Sequence, residues 1–457
     1  MAADTPHHPS SFRDPSGFIF EKEGILFRQV NQSCKEHFDH FMDSGCYRHF
    51  SEKGMLVRHE QIDQNFSGEN NFYSTLKPDR VPFLSWPYEW CFDMLKDAAL
   101  LTLRIARESL DFGMILKDAT PFNIQFVDGK PVFIDTLSFE KFSGSPWIAY
   151  RQYCENFLGP LLLMHYRKLP LQSLQLAWPD GIPLGVVKSL LPGKTRFSFH
   201  TWLHIHLHAK ISVRKIEGKS QEASFSKQKL INLLTSLEML TGRLRFPAAK
   251  TTWSDYYQEA SQRNDYLSEK KNIIQKWVEQ LPGIISAADL GANDGKFSLL
   301  LAEKGLPTLA ADADAHCINN LYREIKKNGE KKILPLVIDL SNPTPAIGVN
   351  NEERSSFLDR VQVDLVLALA LIHHLAIGKN IPFEKIVRLF RQCGSYLIIE
   401  FVPKEDEKVK EMLYRKKDIY TEYNESSFRF AFEKYFIIDK TEAIPGSCRT
   451  LYLMKRK

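Results

Sequence analysis

Two sets of residues in this chain have the types and spacing for chemistry. The first is Asp118-Ala119-Thr120-Pro121-Phe122-Asn123, followed by the apolar run Ile124-Gln125-Phe126-Val127, a turn at Asp128-Gly129 and then Val132-Phe133-Ile134-Asp135. In metal-assisted phosphoryl transfer one carboxylate orients an attacking hydroxyl, while an amide and a second carboxylate hold Mg²⁺ against phosphate oxygens. Asp118, Asn123 and Asp135 have the spacing for those three parts. The second set is Asp289-Leu290-Gly291-Ala292-Asn293-Asp294-Gly295, with Asp312, Asp339 and Asp364 at the edges of later apolar runs. Glycines remove Cβ atoms and let a backbone turn approach a ligand, and the helix that follows offers free N–H groups. Asp312 lies 23 residues after Asp289, where a carboxylate can accept both hydroxyls of a ribose. Asp339 ends Leu336-Val337-Ile338 and can receive the exocyclic amine of adenine.

Histidines add a third kind of chemistry. His373 and His374 follow the run Asp364 to Ile372, at the mouth of a strand, where an imidazole can take a proton from a hydroxyl. His200, His204 and His208 share one face if the segment is helical, and His204, His206 and His208 share one if it is extended. Leu203, Ile205 and Leu207 interleave them and no Cys or acidic residue is near, so structural histidines rather than metal ligands are expected.

These groups need elements to hold them. The 457 residues are enough for two or three domains. A hydrophobic content of 44% and a charged content of 25% exclude a disordered or collagen-like chain. A net charge of +5 gives no strong nucleic-acid signal, and no apolar stretch is long enough to span a membrane. Seven scattered cysteines without a C-x-x-C motif read as reduced thiols, and the N-terminus has no export pattern, so a cytoplasmic location is expected.

Phe18 to Phe20 and Ile25 to Phe27 read as a hairpin, and a helix is expected from Ser85, with Trp90, Met94, Leu95, Ala98, Leu101 and Ile105 inward. Lys210 to Lys229 reads as a polar linker, Leu230 to Leu240 as a helix stopped by Gly242. Beyond it, short apolar runs alternate with helical ones: Ala287 to Leu290, Thr308 to Ala311, Ile333 to Ile338, Asp364 to Ala370, Tyr396 to Phe401, Phe436 to Asp439 and Leu451 to Met454. That alternation argues for an α/β, doubly wound sheet.

On these residues, 250–457 resembles a class I S-adenosylmethionine (SAM)-dependent methyltransferase. Asp289 to Gly295 resembles the family's first motif, with Asn293 in place of the usual middle glycine. Asp312, Val337-Ile338-Asp339-Leu340 and Asp364 to Leu375 match its later motifs in order. Ala370 to Gly378, Ile399 to Lys404 and Asp339 to Pro343 are similar to methyltransferases grouped with a rhizobial nodulation protein. The resemblance implies a Rossmann-like sheet closed by an antiparallel pair, and SAM held by Asp289, Gly291, Asn293, Gly295, Asp312, Asp339 and Asp364. It also implies His374 or His373 as a catalytic base if the acceptor is a hydroxyl. Trp253, Tyr256, Tyr257 and Tyr266 can cover the sulfonium, and Glu400 ends a strand on the substrate side. Ala368-Leu369-Ala370-Leu371 stands where amino-directed nucleic-acid methyltransferases carry an Asn/Asp-Pro-Pro-aromatic clamp, which disfavours base methylation.

The segment from Asp118 to Asp135 looks like the catalytic part of the aminoglycoside-phosphotransferase and choline-kinase type, an α+β kinase-like domain. Leu116-Lys117 replaces the usual His-Arg or His-Gly, and residues 1–84 have no glycine-rich phosphate loop and no Val-Ala-Ile-Lys strand. The expected domains are a β-containing lobe at 1–84, a mostly helical kinase-like lobe at 85–209, a linker and connecting helix at 210–249, and the methyltransferase domain at 250–457. The expected function is SAM-dependent methylation of a small molecule that the N-terminal domain positions. A bifunctional kinase-methyltransferase using Mg²⁺ and ATP, and a methyltransferase with a noncatalytic scaffold, are the alternatives.

Overall fold

The computed structural model describes residues 7–213, 225–247, 266–414 and 417–457. The chain forms two compact units, Met1–Pro247 with Ala346–Arg354, and Ala248–Pro345 with Ser355–Lys457. The tongue Ala346–Arg354, which a linear reading counts with the C-terminal block, thus belongs to the first unit.

In the first unit β1 (Gly17–Lys22) and β2 (Ile25–Asn31) are joined at Glu23 and Gly24, whose φ angles of +55° and +75° suit a two-residue hairpin turn. With β3 (His59–Ile62) and β4 (Phe72–Pro78) they form an antiparallel sheet of order β1-β2-β4-β3. Phe18, Phe20 and Phe27 cluster on one face. By strand alternation Arg28 lies on the other, with Val30 of the cluster formed by Cys34, Phe38, Leu76 and Leu137.

The helix expected from Ser85 starts later, at Phe92, and runs to Ser109. Pro87–Glu89 is a 3₁₀ turn and Trp90 is extended, with φ −82° and ψ 143°. Trp90 is fully buried, as its place in the pattern suggested, but its indole N–H donates to Ser85 Oγ at 2.9 Å and its ring meets Phe126 edge-on. Burial, rather than helix periodicity, explains its place in the spacing. Lys96 Nζ donates to the carbonyls of Gly242 and Leu244, at 2.8 and 2.9 Å, capping the helix Lys227–Arg243. Gly242 is therefore inside the last turn rather than its stop, and the chain becomes extended at Leu244.

Four short strands carry the acidic segment of this unit. β5 (Met114–Leu116) pairs with β8 (Phe139–Lys141), and β6 (Ile124–Val127) with β7 (Lys130–Phe133) through a turn in which Asp128 and Gly129 both have positive φ.

The second unit is built on one seven-stranded sheet. Its strands are β9 (Ala287–Leu290), β10 (Thr308–Asp312), β11 (Ile333–Val337), β12 (Val363–Ala368), β13 (Gly394–Phe401), β14 (Phe436–Ala443) and β15 (Thr450–Arg456). All seven apolar runs become strands, in the order β11-β10-β9-β12-β13-β15-β14. The first five are parallel, and β15 is antiparallel to both neighbours. This is the doubly wound sheet closed by an antiparallel pair. The chain builds outward from β9 on one side and then crosses to β12 on the other, so the C-terminal end of β9 is a topological switch point, where such sheets bind ligands. No helix among the described residues is long and apolar enough to cross a membrane.

Candidate active site

Immediately after β9, the loop Gly291 to Gly295 turns into the helix Lys296–Glu303. Gly291, Asn293 and Gly295 all have positive φ, at +88°, +52° and +79°. A Cβ on Gly295 would stand 2.5 Å from a methyl carbon of Leu321, and one on Gly291 would stand 3.3 Å from Leu371. Both positions favour glycine by their positive φ, and at Gly295 an added Cβ would also have to displace the Leu321 side chain. Asparagine is among the side chains that tolerate positive φ best, which is how residue 293 can do without the usual glycine.

Asp312, at the end of β10, holds this loop. Its Oδ2 accepts the Asn293 N–H at 2.8 Å and its Oδ1 accepts the Asp314 N–H at 2.8 Å. Burial raises its pKa, against the backbone donors that favour the charged form. A carboxylate has about four acceptor positions, so two backbone donors leave capacity on each oxygen for a pair of vicinal hydroxyls. Asp339 lies beside it: β10 and β11 are paired, and Ile338 N–H donates to the Asp312 carbonyl at 2.9 Å. Asp339 Oδ1 accepts from the Ser341 N–H and hydroxyl, and Lys379 stands 3.6 Å from Oδ2. Burial pushes the Asp339 pKa up, but Ser341 and Lys379 outweigh it and leave it lowered.

Asp289 is 2% exposed and accepts the Ser298 hydroxyl at 2.7 Å. It braces the loop from beneath, and burial raises its pKa to about 6. Asp294 is likewise raised to about 6 by burial, and its Oδ1 is buried with no hydrogen-bond partner. Asp364 requires a correction. It sits near the start of β12, at the end of the sheet opposite the glycine loop, and accepts the Ile285 and Ser286 N–H groups and the Ser286 hydroxyl at 2.9 to 3.0 Å. It pins the entry to β9 and is no ligand to anything at the switch point.

The turn after β12 places Leu371 against Gly291, with Ala370 at φ +49°. His373 and His374 follow, their ring centroids 4.0 Å apart. His373 is 1% exposed, its Nδ1 has no hydrogen-bond partner, and burial holds its pKa well below 6.5. Enclosed in this way it packs the turn and has almost no surface open to solvent. His374 is half-buried with a pKa lowered to about 4, chiefly by burial and then by Arg449 and Lys408. Of the two, it alone combines a neutral imidazole at pH 7 with exposed surface.

Beneath this turn lies an ionic network that the sequence shows only in part. Glu400, fully buried near the end of β13, accepts from Tyr266 Oη at 2.6 Å, Lys270 Nζ, Arg449 Nη1 at 3.2 Å and the Ala370 N–H at 2.9 Å. Arg449 also forks onto Asp406, at 2.8 and 3.1 Å. Two cations thus balance two carboxylates at 4% exposure or less. Burial pushes the Glu400 carboxyl up, but Lys270 and Arg449 together hold it at about 2. Glu400 and Tyr266 stand out in the sequence, whereas Lys270, Asp406 and Arg449 read there as ordinary surface charges. Trp253, Tyr256 and Tyr257 lie outside the described residues.

In the first unit Asp118, Asn123 and Asp135 converge. Antiparallel pairing of β6 with β7 brings the hairpin ends together, and Ile134 N–H donates to the Asn123 carbonyl at 2.8 Å. Asn123 Nδ2 donates to Asp118 at 3.1 Å and to Ser138 Oγ at 3.2 Å, and Ser138 donates to Asp135 at 2.6 Å. Burial and then the Asp135 charge raise the Asp118 pKa. Burial also pushes Asp135 up, yet the Arg28 guanidinium, ion-paired with it, leads the groups that leave its pKa lowered. Arg28, on β2, is a partner that motif spacing did not reveal.

The tongue Ala346–Arg354 meets the same loop. Arg354 lies over the rings of Phe122, at 4.5 Å, and Trp86, at 5.7 Å, while Arg13 grips the buried Glu353 at 2.6 Å. The histidine cluster takes protein partners: His200 and His204 share Ser236 Oγ, His204 also meets Tyr150 Oη, and His206 meets Thr195 Oγ1.

Comparison with known proteins places these sites in context. The chain is 34% identical over 461 aligned residues to nodulation protein NoeA of Rhizobium meliloti (strain 1021), covering 98% of this chain and 95% of that protein. Among solved structures it is similar to the bifunctional kinase-methyltransferase WbdD, at 19% identity and a TM-score of 0.29 over 42% of this chain and 39% of that one. It is also similar to magnesium protoporphyrin IX methyltransferase (ChlM) of Synechocystis PCC 6803 with bound SAH, at 14% identity and a TM-score of 0.31 over 46% of this chain and 90% of that one. No protein-family model matches the chain.

Proposed function

The chain belongs to the family of the nodulation protein NoeA, and from that premise we propose that its second unit transfers a methyl group from SAM to a small-molecule acceptor. The observation that carries the reading is the pairing of the glycine loop with Asp312. A positive-φ turn at the switch point has its backbone tied to a carboxylate with acceptor capacity left over. That donor and acceptor set fits a nucleoside, with Asp312 toward the ribose hydroxyls and Asp339 toward the base. SAM would supply a methyl group on a sulfonium, already a good leaving group, so the protein's task is alignment more than acid–base chemistry. Leu371 packs against Gly291 of the loop, and we take the turn that carries it, with Ala370 and His374, as the side where an acceptor would enter. If the nucleophile is a hydroxyl, His374 is the group we assign to accept its proton; burial keeps it neutral at pH 7 but also makes it a weak base, so alignment carries most of the rate. The Glu400 network holds the turn in position through the Ala370 N–H.

For the first unit we infer substrate positioning rather than phosphoryl transfer. Arg28 pairs with the carboxylate that a kinase would use for Mg²⁺, and this favours a docking role over the bifunctional alternative. Isothermal titration of the full chain with SAM and with S-adenosylhomocysteine tests the central claim. Saturable one-to-one binding of both, with each displacing the other, is expected, and absence of heat for both would overturn it. Transfer of tritium from labelled SAM into an extract would then identify the acceptor.

A further inference from the structure

Aromatic side chains facing water need a reason when they cluster among cations. Phe197 is 92% exposed, Phe199 67% and Trp202 39%. They sit on a short connection made of the 3₁₀ turn Gly193–Phe197 and the helical turns beyond it. Its anchors face inward. Thr195 and Thr201 are fully buried, Thr195 Oγ1 bonds His206 at 2.9 Å, and the Trp202 N–H donates to the Ser198 carbonyl at 2.8 Å. The alternation of anchored and outward residues makes the aromatic display part of a built turn.

The surroundings are cationic. Lys194 and Arg196 are exposed within the same turn. Arg167 donates to the carbonyl of Leu190, which is itself 39% exposed and lies three residues before the turn. From Leu161 to Ile216 the sequence has eight Lys and Arg and one acidic residue, Asp180. The local charge is thus far from the nearly balanced total of 60 basic and 55 acidic residues.

Apolar rings beside cations suit the boundary of a lipid bilayer, where aromatics enter the headgroup layer and Lys or Arg pairs with anionic phosphates. We propose that the turn carrying Lys194, Arg196, Phe197 and Phe199, with Trp202, is a docking site for an anionic membrane surface. The site is peripheral, needs no spanning helix, and shares no residue with the proposed methyl-transfer site.

The test is flotation of the full chain with vesicles of phosphatidylcholine alone, or with roughly one part phosphatidylglycerol to two of phosphatidylcholine. Binding is expected to the anionic vesicles only and to weaken at high salt. Lys194→Glu with Arg196→Glu should lower partitioning roughly 25-fold or more, since each surface cation is worth about fivefold. Phe197→Ser with Phe199→Ser should lower it on the order of tenfold or more. Lipids brominated in the acyl chains should quench tryptophan fluorescence in the wild-type protein and less in Trp202→Phe, an arm that does not depend on the double variants. Absence of flotation, or flotation of both double variants equal to wild type, would overturn the proposal. So would a self-association that Phe197→Ser with Phe199→Ser abolishes while vesicle binding is absent, which would assign the turn to a second copy of the chain.

Discussion

Asp135 in the first unit and Asp312 in the second are both strand-end carboxylates with a polar turn beside them, yet their partners differ in kind. Asp135 meets a charge: Arg28 reaches it from another strand, and Ser138 and the Leu137 N–H take further acceptor positions. Asp312 meets two backbone N–H groups, which orient it without neutralising it. A guanidinium in contact supplies the positive charge that a metal ion would bring, whereas two amides leave acceptor capacity for hydroxyls. Identity of the partner, more than position of the acid, separates a self-satisfied carboxylate from one with acceptor capacity left over.

The strongest way to stress the second site is to remove the support below it. Glu400→Gln leaves Lys270 and Arg449 short of a buried counter-charge, and about 4 kcal/mol should be lost in urea unfolding. The folded pKa of Glu400, about 2, is below its ordinary value. Its contribution is therefore present above the unfolded pKa and lost as pH falls through the folded one, so the wild-type advantage over the variant should shrink in strong acid.

Arg28→Gln attacks the other side of the comparison. Breaking its pair with Asp135 should cost roughly 3 kcal/mol of stability, since both side chains are 13% exposed. If the guanidinium is what satisfies the cleft, Mg²⁺ with ATP should raise the melting temperature of this variant and leave the wild type unmoved. An equal response in both proteins would erase the distinction drawn between the two acids.

Asp312→Ala should be milder for the fold and specific for the ligand. SAM and S-adenosylhomocysteine should both lose roughly 2 kcal/mol of binding free energy by calorimetry, because ribose contacts ignore the methyl group. A loss confined to SAM would place Asp312 at the sulfonium instead. The smallest effect is expected at Asp289. Its folded pKa, about 6, exceeds its ordinary 3.8, so the stability it contributes is present below the unfolded pKa and fades as pH rises through the folded one. Asp289→Asn keeps an acceptor for Ser298 and should flatten that pH dependence between roughly pH 4 and 6 while changing stability little at its acid end, read from melting curves.

Apolar runs made the sheet of the second unit legible. All seven strands follow from runs of Val, Ile, Leu and Ala between turn signals, and their order agrees with the motif order. The glycine loop, Asp312 and Asp339 came with them, because residues at strand ends inherit their position from the strand. Asp364 failed for the same reason in reverse: an acid beside a strand looks alike at either end until direction is counted. Lys270, Asp406, Arg449 and Arg28 were invisible because each gains its role from a partner 43 to 183 residues away. The helix expected from Ser85 shows a related limit, since Trp90 is a core residue that is not helical.

The tongue Ala346–Arg354 limits how this protein can be inherited in pieces. A gene split near codon 250 would strip the first unit of the guanidinium that covers Phe122 and of the carboxylate that Arg13 holds. Recombination between relatives at that point would pair a tongue from one parent with the receptor surface of the other. Exchange of whole halves is therefore conservative only when Arg13, Trp86 and Phe122 travel with residues that can receive Glu353 and Arg354, so the modules of this chain are set by a contact map and not by a single cut in its length.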